Sequence, residues 1–196
     1  MPGTRRRGLP PVLAPDARVL LLGSFPGEAS LAAHEYYAHP RNHFWPLLGH
    51  VLGEPLAGMA YAQRLARLQA HGIGLWDTIV SCERPGSLDA SIRAATLGET
   101  RRVRRTAPGV RLVCFNGKTA ARAEPAWREA GYQTLALPST SPAYTLPFEV
   151  KLAAWIAIRA GLTTGASAAT ARTDRTPTPG MRSSPEAGRS RRADAA

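Results

Sequence analysis

Cysteine and lysine are both scarce in this sequence of 196 residues. The two cysteines, Cys82 and Cys114, cannot by themselves form a four-cysteine zinc site or hold an iron–sulfur cluster. We therefore expect reduced thiols, no metal and no cofactor. Lysine occurs only as Lys118 and Lys151, so almost every cation of the chain is an arginine.

Long apolar runs and late histidines are also missing. No run is long enough to span a membrane, and Pro10, Pro11 and Pro15 interrupt any apolar core of a signal peptide. We therefore expect a cytoplasmic, bacterial-type protein associated with the nucleoid. No histidine follows residue 71, so a hydrolase triad on Ser24 has no later histidine to complete it. His39 and His43 have zinc-like spacing, but the intervening Pro40 and the missing third ligand argue against metal.

The charge balance favours a polyanionic partner. The chain carries 25 basic and 14 acidic side chains, a formal net charge of +11. Nucleic acid is the first candidate and an anionic membrane surface the second. Arginine-rich composition can also arise without function, so charge alone gives this interpretation little weight.

Apolar runs alternate with amphipathic stretches along the chain. Buried strands are predicted at about 18–23, 73–76, 110–115 and 134–137. Helices are predicted at about 44–52, 59–71, 91–105, 118–130 and 148–160. This alternation predicts an α/β fold in which helical layers enclose a central parallel sheet of four strands.

Composition also predicts three segments. Residues 1–17 are rich in proline and arginine and are predicted to form a flexible N-terminal arm. Residues 18–160 contain the predicted folded domain. Residues 161–196 are rich in arginine, serine, threonine and proline and have almost no large apolar side chains, so they are predicted to be a disordered tail.

Four loops should meet where parallel strands end, and ligands bind at this edge of such sheets. These loops are residues 23–43, 77–90, 116–118 and 138–147. The loop after the first strand is rich in aromatic residues, which suits a flat, uncharged ligand such as a nucleobase. Tyr36 or Tyr37 could stack on a base or pack in the core, whereas Phe44 and Trp45 are better explained by core packing.

Other residues of these loops have open interpretations. Asn42 and Asn116 are ordinary loop residues, but at two strand ends of one sheet their amides could read a base edge or hold water. Asp77 is interpreted as a loop-capping carboxylate, with catalysis as the alternative. The turn Gly23–Gly27 lacks the spacing of a dinucleotide fingerprint, and no helix is predicted directly after it. Its glycines either serve geometry only or let backbone N–H groups approach a ligand.

Three motifs together resemble the uracil-DNA glycosylase superfamily, most closely its hypoxanthine-DNA glycosylase (DNA-deoxyinosine glycosylase) branch. They are Gly-Ser-Phe-Pro-Gly at 23–27, Tyr-Tyr-x-His-Pro-Arg-Asn-x-Phe-Trp at 36–45 and Leu-Pro-Ser-Thr-Ser-Pro-Ala at 137–143. Between these motifs, Trp76-Asp77 and Phe115-Asn116-Gly117 also match the family. The resemblance covers about residues 16–160. It implies a three-layer α/β/α fold, base flipping and metal-free hydrolysis of the N-glycosidic bond.

The resemblance also implies roles for individual residues. Asn42 and Asn116 are the expected catalytic amides. In other branches the position of Phe25 holds Asn or Asp, which positions the attacking water, so Phe25 weakens the expectation of uracil removal. The expected base-binding residues are Ser24, Phe25, Tyr37, Phe44 and Asn116. The expected DNA-binding residues are Gly27, Arg41, Lys118, Ser139, Ser141 and Tyr144, with Tyr144 or Leu146 as a wedge in the duplex.

Two hypotheses follow. The first is a monofunctional glycosylase that acts as a monomer on double-stranded DNA containing deaminated bases, chiefly hypoxanthine and secondarily uracil, and leaves an abasic site. The second is a non-catalytic nucleic-acid or DNA-damage binding module on the same scaffold. Detection of abasic sites in a labelled duplex distinguishes them.

Overall fold

The computed structural model describes residues 5–163. Within this range the strands are β1 (Arg5–Arg7), β2 (Val19–Gly23), β3 (Ile73–Asp77), β4 (Ile79–Glu83), β5 (Arg93–Leu97), β6 (Leu112–Asn116) and β7 (Gln133–Leu137). The helices are α1 (Glu28–Ala33), α2 (Phe44–Leu52), α3 (Tyr61–Ala70), α4 (Thr100–Thr106), α5 (Lys118–Ala121), α6 (Glu124–Glu129), α7 (Phe148–Trp155) and α8 (Ile158–Thr163). Short 3-10 turns occur at Leu56–Gly58 and Asp89–Ser91.

Four strands form a parallel sheet in the order β3-β2-β6-β7, which confirms the predicted α/β class and strand number. Strand β2 is central, and all of its residues are buried. Because side chains alternate along a strand, Val19 and Leu21 pack into one apolar core while Leu20 and Leu22 pack into another. Helices cover both faces of the sheet, as the prediction of three layers requires.

Each apolar core is completed by helices from one side of the sheet. The first core takes Leu47 of α2 and Trp155 of α7, whereas the second takes Val103 of α4 and Trp127 of α6. Trp155 is fully buried, and its indole N–H donates to the Pro138 carbonyl at 3.0 Å. The core therefore fixes the loop that follows β7.

A second, antiparallel sheet of three strands, in the order β1-β4-β5, was not predicted. Residues 81–83, expected in a loop, belong to β4, and residues 93–97, expected in a helix, form β5. All residues of β5 are exposed, so no apolar pattern marks it in the sequence. Pairing with β4 determines its conformation, as tertiary context often does for strands.

The N-terminal segment is not a flexible arm over residues 5–17. Arg5–Arg7 pair with Ser81–Glu83, Leu9 is buried, and Val12 exchanges backbone hydrogen bonds with Leu75 at 2.9 Å in both directions. The prolines of this segment are compatible with pairing at a sheet edge, where missing N–H groups do little harm. Composition alone therefore misled the prediction here.

Several helix predictions also need correction. Helix α1 follows the Gly23–Gly27 turn directly, although its six residues are too few for a visible apolar period. The predicted helix at 118–130 consists of α5 and α6, and the predicted final helix consists of α7 and α8. Residues 161–163 belong to α8 rather than to the predicted tail, and residues 164–196 lie outside the described range.

Candidate active site

A cavity of about 320 Å³ opens at the carboxyl ends of the parallel strands. Its walls come from all four loops that the sequence predicted to meet there. Asn42, Asn116, Tyr37 and Ser139 line it, as do Gly23–Gly27. A pocket of this size can enclose one nucleobase.

The Gly23–Gly27 turn forms one wall and is fixed from the loop after β4. The Ser24 hydroxyl donates to Asp89 Oδ2 at 2.7 Å, and the Glu28 N–H donates to Ser87 Oγ at 2.9 Å. Phe25 lines the cavity and is buried, with the Arg84 guanidinium 4.9 Å from its ring centroid. Ser24 and Phe25 thus lie where base contact was predicted, and Ser87 and Asp89 are additional wall residues.

The aromatic loop provides a stacked pair. The rings of Tyr37 and Phe44 lie parallel, with centroids 3.7 Å apart. Phe44 is completely buried, because Trp45 and Trp155 meet it edge-on at 5.0 and 5.7 Å. Tyr37 lines the cavity and Phe44 supports it from behind. Phe44 therefore packs against Tyr37 and does not itself line the cavity, in contrast to the base contact predicted for it.

Tyr37 is held in an unusual conformation. Its φ of 55° lies in the left-handed region. Its buried hydroxyl lies beside the Asn116 amide but forms no hydrogen bond of ordinary geometry with any described residue. Burial raises the pKa of this phenol, and the neighbouring Asp77 raises it further. A strained backbone together with an unsatisfied hydroxyl in a cavity wall is a typical feature of a ligand site.

Asn42 lines the cavity just before α2. Its side-chain Oδ1 accepts the Phe44 N–H at 3.0 Å, and the Asn42 backbone N–H donates to the His39 carbonyl at 2.8 Å. These bonds fix the side chain in a short turn, yet the amide oxygen retains a second lone pair. The Asn42 side-chain nitrogen has no hydrogen-bond partner among residues 5–163. Asn42 can therefore still bind water and donate to a ligand.

Asn116 has a different setting at the end of β6. Its Nδ2 donates to Thr140 Oγ1 and its Oδ1 accepts the Thr140 N–H, both at 2.9 Å. Thr140 is buried, with 1% of its surface exposed. The amide of Asn116 therefore holds the loop after β7 against the end of β6, in addition to lining the cavity.

This arrangement makes a prediction about stability. Asn116→Ala should leave the Thr140 N–H and hydroxyl buried without a partner, at a cost of about 1–3 kcal/mol in the free energy of unfolding. Denaturant unfolding of Asn116→Ala, Thr140→Val and the double variant checks it. The double variant should lose less stability than the sum of the two single losses, because both substitutions break the same Asn116–Thr140 pair. Strictly additive losses would contradict the pairing.

The remaining predicted DNA contacts separate into two groups. Gly27, Ser139, Ser141 and Tyr144 line the cavity and its mouth, and 40% of Tyr144 is exposed. Ser139 Oγ accepts the Ser141 N–H and Ser141 Oγ accepts the Ala143 N–H, each at 3.2 Å, so both hydroxyls shape the loop. The second group is exposed and lies outside the cavity wall: Arg41 is in the loop before α2, and Lys118 is the first residue of α5.

Asp77, at the end of β3, does not cap a loop as interpreted from the sequence. Only 4% of it is exposed, and its Oδ2 is buried without a partner among the described residues. Burial, reinforced by the nearby Asp89 and opposed by Arg84, raises the pKa of this carboxyl to about 8. Asp77 lines the cavity. Its position at a strand end and the motif match of Trp76-Asp77 were the sequence signals for a role there.

The described residues contain neither a metal cluster nor a membrane-spanning helix. Between residues 5 and 163 no group of three or more His, Cys, Asp or Glu side chains is placed to hold a metal ion. Over the same range, no helix combines the length and the apolar character needed to cross a bilayer.

A cavity at the strand ends of a three-layer sheet, lined by amides and a stacked tyrosine, is typical of α/β proteins that bind a flat polar ligand such as a nucleobase. Residues 10–159 match the model of the uracil DNA glycosylase superfamily. This match covers most of the chain. The chain therefore belongs to the uracil DNA glycosylase superfamily, and it is a DNA glycosylase.

Individual relatives agree with this family. A hypoxanthine DNA glycosylase of Methanosarcina barkeri (strain Fusaro / DSM 804) is 38% identical over 151 residues, which are 77% of this chain and 96% of the relative. One of Methanosarcina acetivorans is 41% identical over 138 residues, or 70% and 87% of the two chains. A solution NMR structure of a candidate uracil DNA glycosylase from Methanosarcina acetivorans has a TM-score of 0.73 and 37% identity, and covers 81% of this chain and 99% of its own.

Proposed function

We propose that this DNA glycosylase hydrolyses the N-glycosidic bond of a flipped, deaminated base, with hypoxanthine as the main substrate and uracil as a weaker one. The observation that carries the proposal is a cavity that combines Asn42, Asn116 and the stacked Tyr37. Deaminated bases are flat, neutral and polar at their edges, so amides and aromatic faces suit them. The names of the curated relatives point to the same substrate.

The cavity supports hydrolysis without a covalent amine intermediate. Neither lysine contributes to its wall: Lys118 is exposed outside it, and the Lys151 ammonium donates to the Tyr144 carbonyl at 2.7 Å. A glycosylase that also cleaves the strand through a Schiff base needs a free amine at the sugar. The enzyme is therefore proposed to be monofunctional, with an abasic site as its product.

Asn42 is the proposed positioning group for water. Departure of the base leaves an oxocarbenium-like sugar, as in other glycosidic cleavages, and this cation needs a well-placed nucleophile more than a strong base. The Asn42 oxygen, already fixed by the Phe44 N–H, can accept one hydrogen of that water. Its side-chain nitrogen can donate to the departing base or to the sugar.

Double-stranded DNA is the proposed partner, bound by a monomer. The net charge of +11 favours phosphate contact, and Arg41 and Lys118 flank the cavity. Ser139, Ser141 and the backbone of Gly27 are proposed to hold phosphates beside the flipped nucleotide. Exposed Tyr144 is the proposed wedge. A cytoplasmic protein associated with the nucleoid fits this partner.

The direct test is release of the base. Purified protein is incubated with a labelled duplex containing one deoxyinosine, and free hypoxanthine and alkali-labile abasic sites are measured together. Equal amounts of both, without strand cleavage before alkali, support the proposal. Tight binding of the duplex with no release of any deaminated base would instead support the non-catalytic binding module.

The order of substrates is a separate prediction. Phe25 presents an apolar ring to the cavity where other branches of the superfamily hold a polar side chain, so it offers nothing to a pyrimidine edge. Under single-turnover conditions, hypoxanthine should be released faster than uracil from otherwise identical duplexes. Faster release of uracil from a U·A pair would contradict this order.

A further inference from the structure

Among the described residues, no hydrogen-bond partner accounts for the burial of the Asp77 carboxyl group. This nearly buried carboxyl group lies at the carboxyl end of β3 and lines the same cavity as Asn42 and Asn116. Within residues 5–163, its Oδ2 has no hydrogen-bond donor. Native proteins rarely leave a buried carboxyl oxygen unpaired, so the missing partner points to a group that the cavity receives.

The fold brings Asp77 close to the Gly23–Gly27 turn. A Cβ atom added to Gly23 would lie 2.4 Å from Asp77 Oδ1 and 3.1 Å from the Tyr37 hydroxyl oxygen. Both of these residues therefore reach across the end of β2, where only a glycine leaves room for them. The Tyr37 hydroxyl is also buried without a partner among the described residues. Two unsatisfied polar groups thus meet in one wall.

The charged and titratable groups around Asp77 favour its neutral form. Asp89, from the 3-10 turn, opposes ionisation, whereas the buried Arg84 favours it. The Arg84 guanidinium donates through Nη2 to the Pro26 carbonyl and lies 4.0 Å from Asp89 Oδ1, while its Nε and Nη1 have no hydrogen-bond partner among the described residues. Tyr36, Tyr37 and Tyr61 also face Asp77, and the pKa values of these phenols are raised. All three remain neutral wherever Asp77 titrates.

We infer that Asp77 acts as a carboxylic acid that protonates the departing purine, so that hypoxanthine leaves as a neutral molecule. The inference rests on the proposed function, because it assumes a flipped purine nucleotide in this cavity. Hypoxanthine offers an acceptor nitrogen at N7, on the ring that is bonded to the sugar. Uracil has no such nitrogen. The same side chain would therefore promote the reaction and favour purine over pyrimidine.

Protonation at N7 accompanies cleavage of the glycosidic bond. The electron pair of the C1′–N9 bond passes to the base while the Asp77 O–H bond breaks and an N7–H bond forms. Water forms the new C1′–O bond and loses one proton, which returns to the Asp77 carboxylate or to solvent. The products are neutral hypoxanthine and an abasic sugar, with no oxidant or further reactant required. General acid catalysis of this type typically contributes about 10²–10⁴-fold in rate.

The direction of the pH dependence follows from this role. Because the acid must be protonated, the single-turnover rate with deoxyinosine should be flat at low pH and fall as pH rises through the pKa of Asp77, which burial places at about 8. Asp77→Asn removes the proton but keeps the shape of the side chain. Excision of hypoxanthine by Asp77→Asn should be roughly 10²-fold slower, and the fall at high pH should disappear.

A 7-deaza-deoxyinosine duplex identifies the atom that receives the proton. This analogue keeps the shape of the base but has carbon at position 7, so Asp77 has nothing to protonate there. The ratio of wild-type to Asp77→Asn rates should be roughly 10² with deoxyinosine and close to one with the analogue or with uracil. Equal ratios for all three duplexes, or a wild-type rate unchanged at high pH, would overturn the inference.

Measurements on the wild-type protein separate a failure of the proposed function from a failure of this inference. If wild-type protein releases no hypoxanthine, the proposed function fails, and this result is separate from any effect of Asp77. If Asp77→Asn does not fold, the wild-type pH profiles with deoxyinosine and uracil decide alone, since only the first should fall near pH 8. A folded variant should also lose the pH dependence of stability that Asp77 causes. Because the pKa is raised on folding, wild-type stability should decrease between about pH 4 and about pH 8 relative to Asp77→Asn.

Discussion

Asn42→Ala is expected to slow single-turnover release of hypoxanthine by about 10²–10³-fold, the usual effect of losing one preorganised polar contact to a transition state. The substitution removes both the oxygen proposed to hold water and the nitrogen proposed to contact the base or sugar. It also removes the hydrogen bond from the Phe44 N–H. DNA affinity should change little, because phosphate contacts dominate it.

The hydrogen bond to Phe44 makes a second variant necessary. Asn42→Ser keeps a side-chain oxygen that can form a similar turn with the Phe44 N–H, but it has no amide. Asn42→Ala should lose about 0.5–1.5 kcal/mol of stability, which Asn42→Ser should largely recover. Both should remain defective in excision. If Asn42→Ser restores the rate together with the melting temperature, Asn42 is a structural residue and Asn116 becomes the leading catalytic candidate.

Much of the parallel sheet and of the site could be predicted from the sequence. Buried strands of a parallel sheet are apolar on both faces, so Val19–Leu22 are visible as a continuous run. Topology then places the loops after such runs at one edge of the sheet. This general rule was enough to predict that the loops of Asn42 and Asn116 line one cavity.

The antiparallel sheet could not be predicted, because its order comes from pairing and not from local pattern. Strand β5 is wholly exposed, and β1 consists of three arginines that pair with β4. The base contact that the resemblance implied for Phe44 and the loop-capping role interpreted for Asp77 failed for a related reason, although core packing of Phe44 was the interpretation from the residues alone. Whether an aromatic ring contacts the ligand or supports the ring that does, and whether a carboxylate has a partner, depends on contacts distant in the chain.

Gly23→Ala is expected to lower the rate of hypoxanthine release by about 10²-fold, although alanine adds only a single methyl group. Gly23 ends β2 and pairs with Asp77 at the end of β3. The new methyl would lie 2.4 Å from Asp77 Oδ1, closer than nonbonded atoms approach, and 3.1 Å from the Tyr37 hydroxyl oxygen. Both side chains must move, and a displacement of about 1 Å in a catalytic wall can cost this much.

Single-turnover rates and melting temperatures of Gly23→Ala and Gly58→Ala together test this prediction. Gly58 is exposed, has ordinary φ, and a Cβ there would meet nothing within 4 Å, so Gly58→Ala controls for the general effect of the substitution. The loss caused by Gly23→Ala should also shrink when Asp77 is already replaced by alanine, because the principal clash has been removed. A folded Gly23→Ala protein with near wild-type excision would show that Asp77 and Tyr37 need not occupy the positions described. If Gly23→Ala causes the same loss of rate in the Asp77→Ala background, the effect of Gly23 comes from another contact.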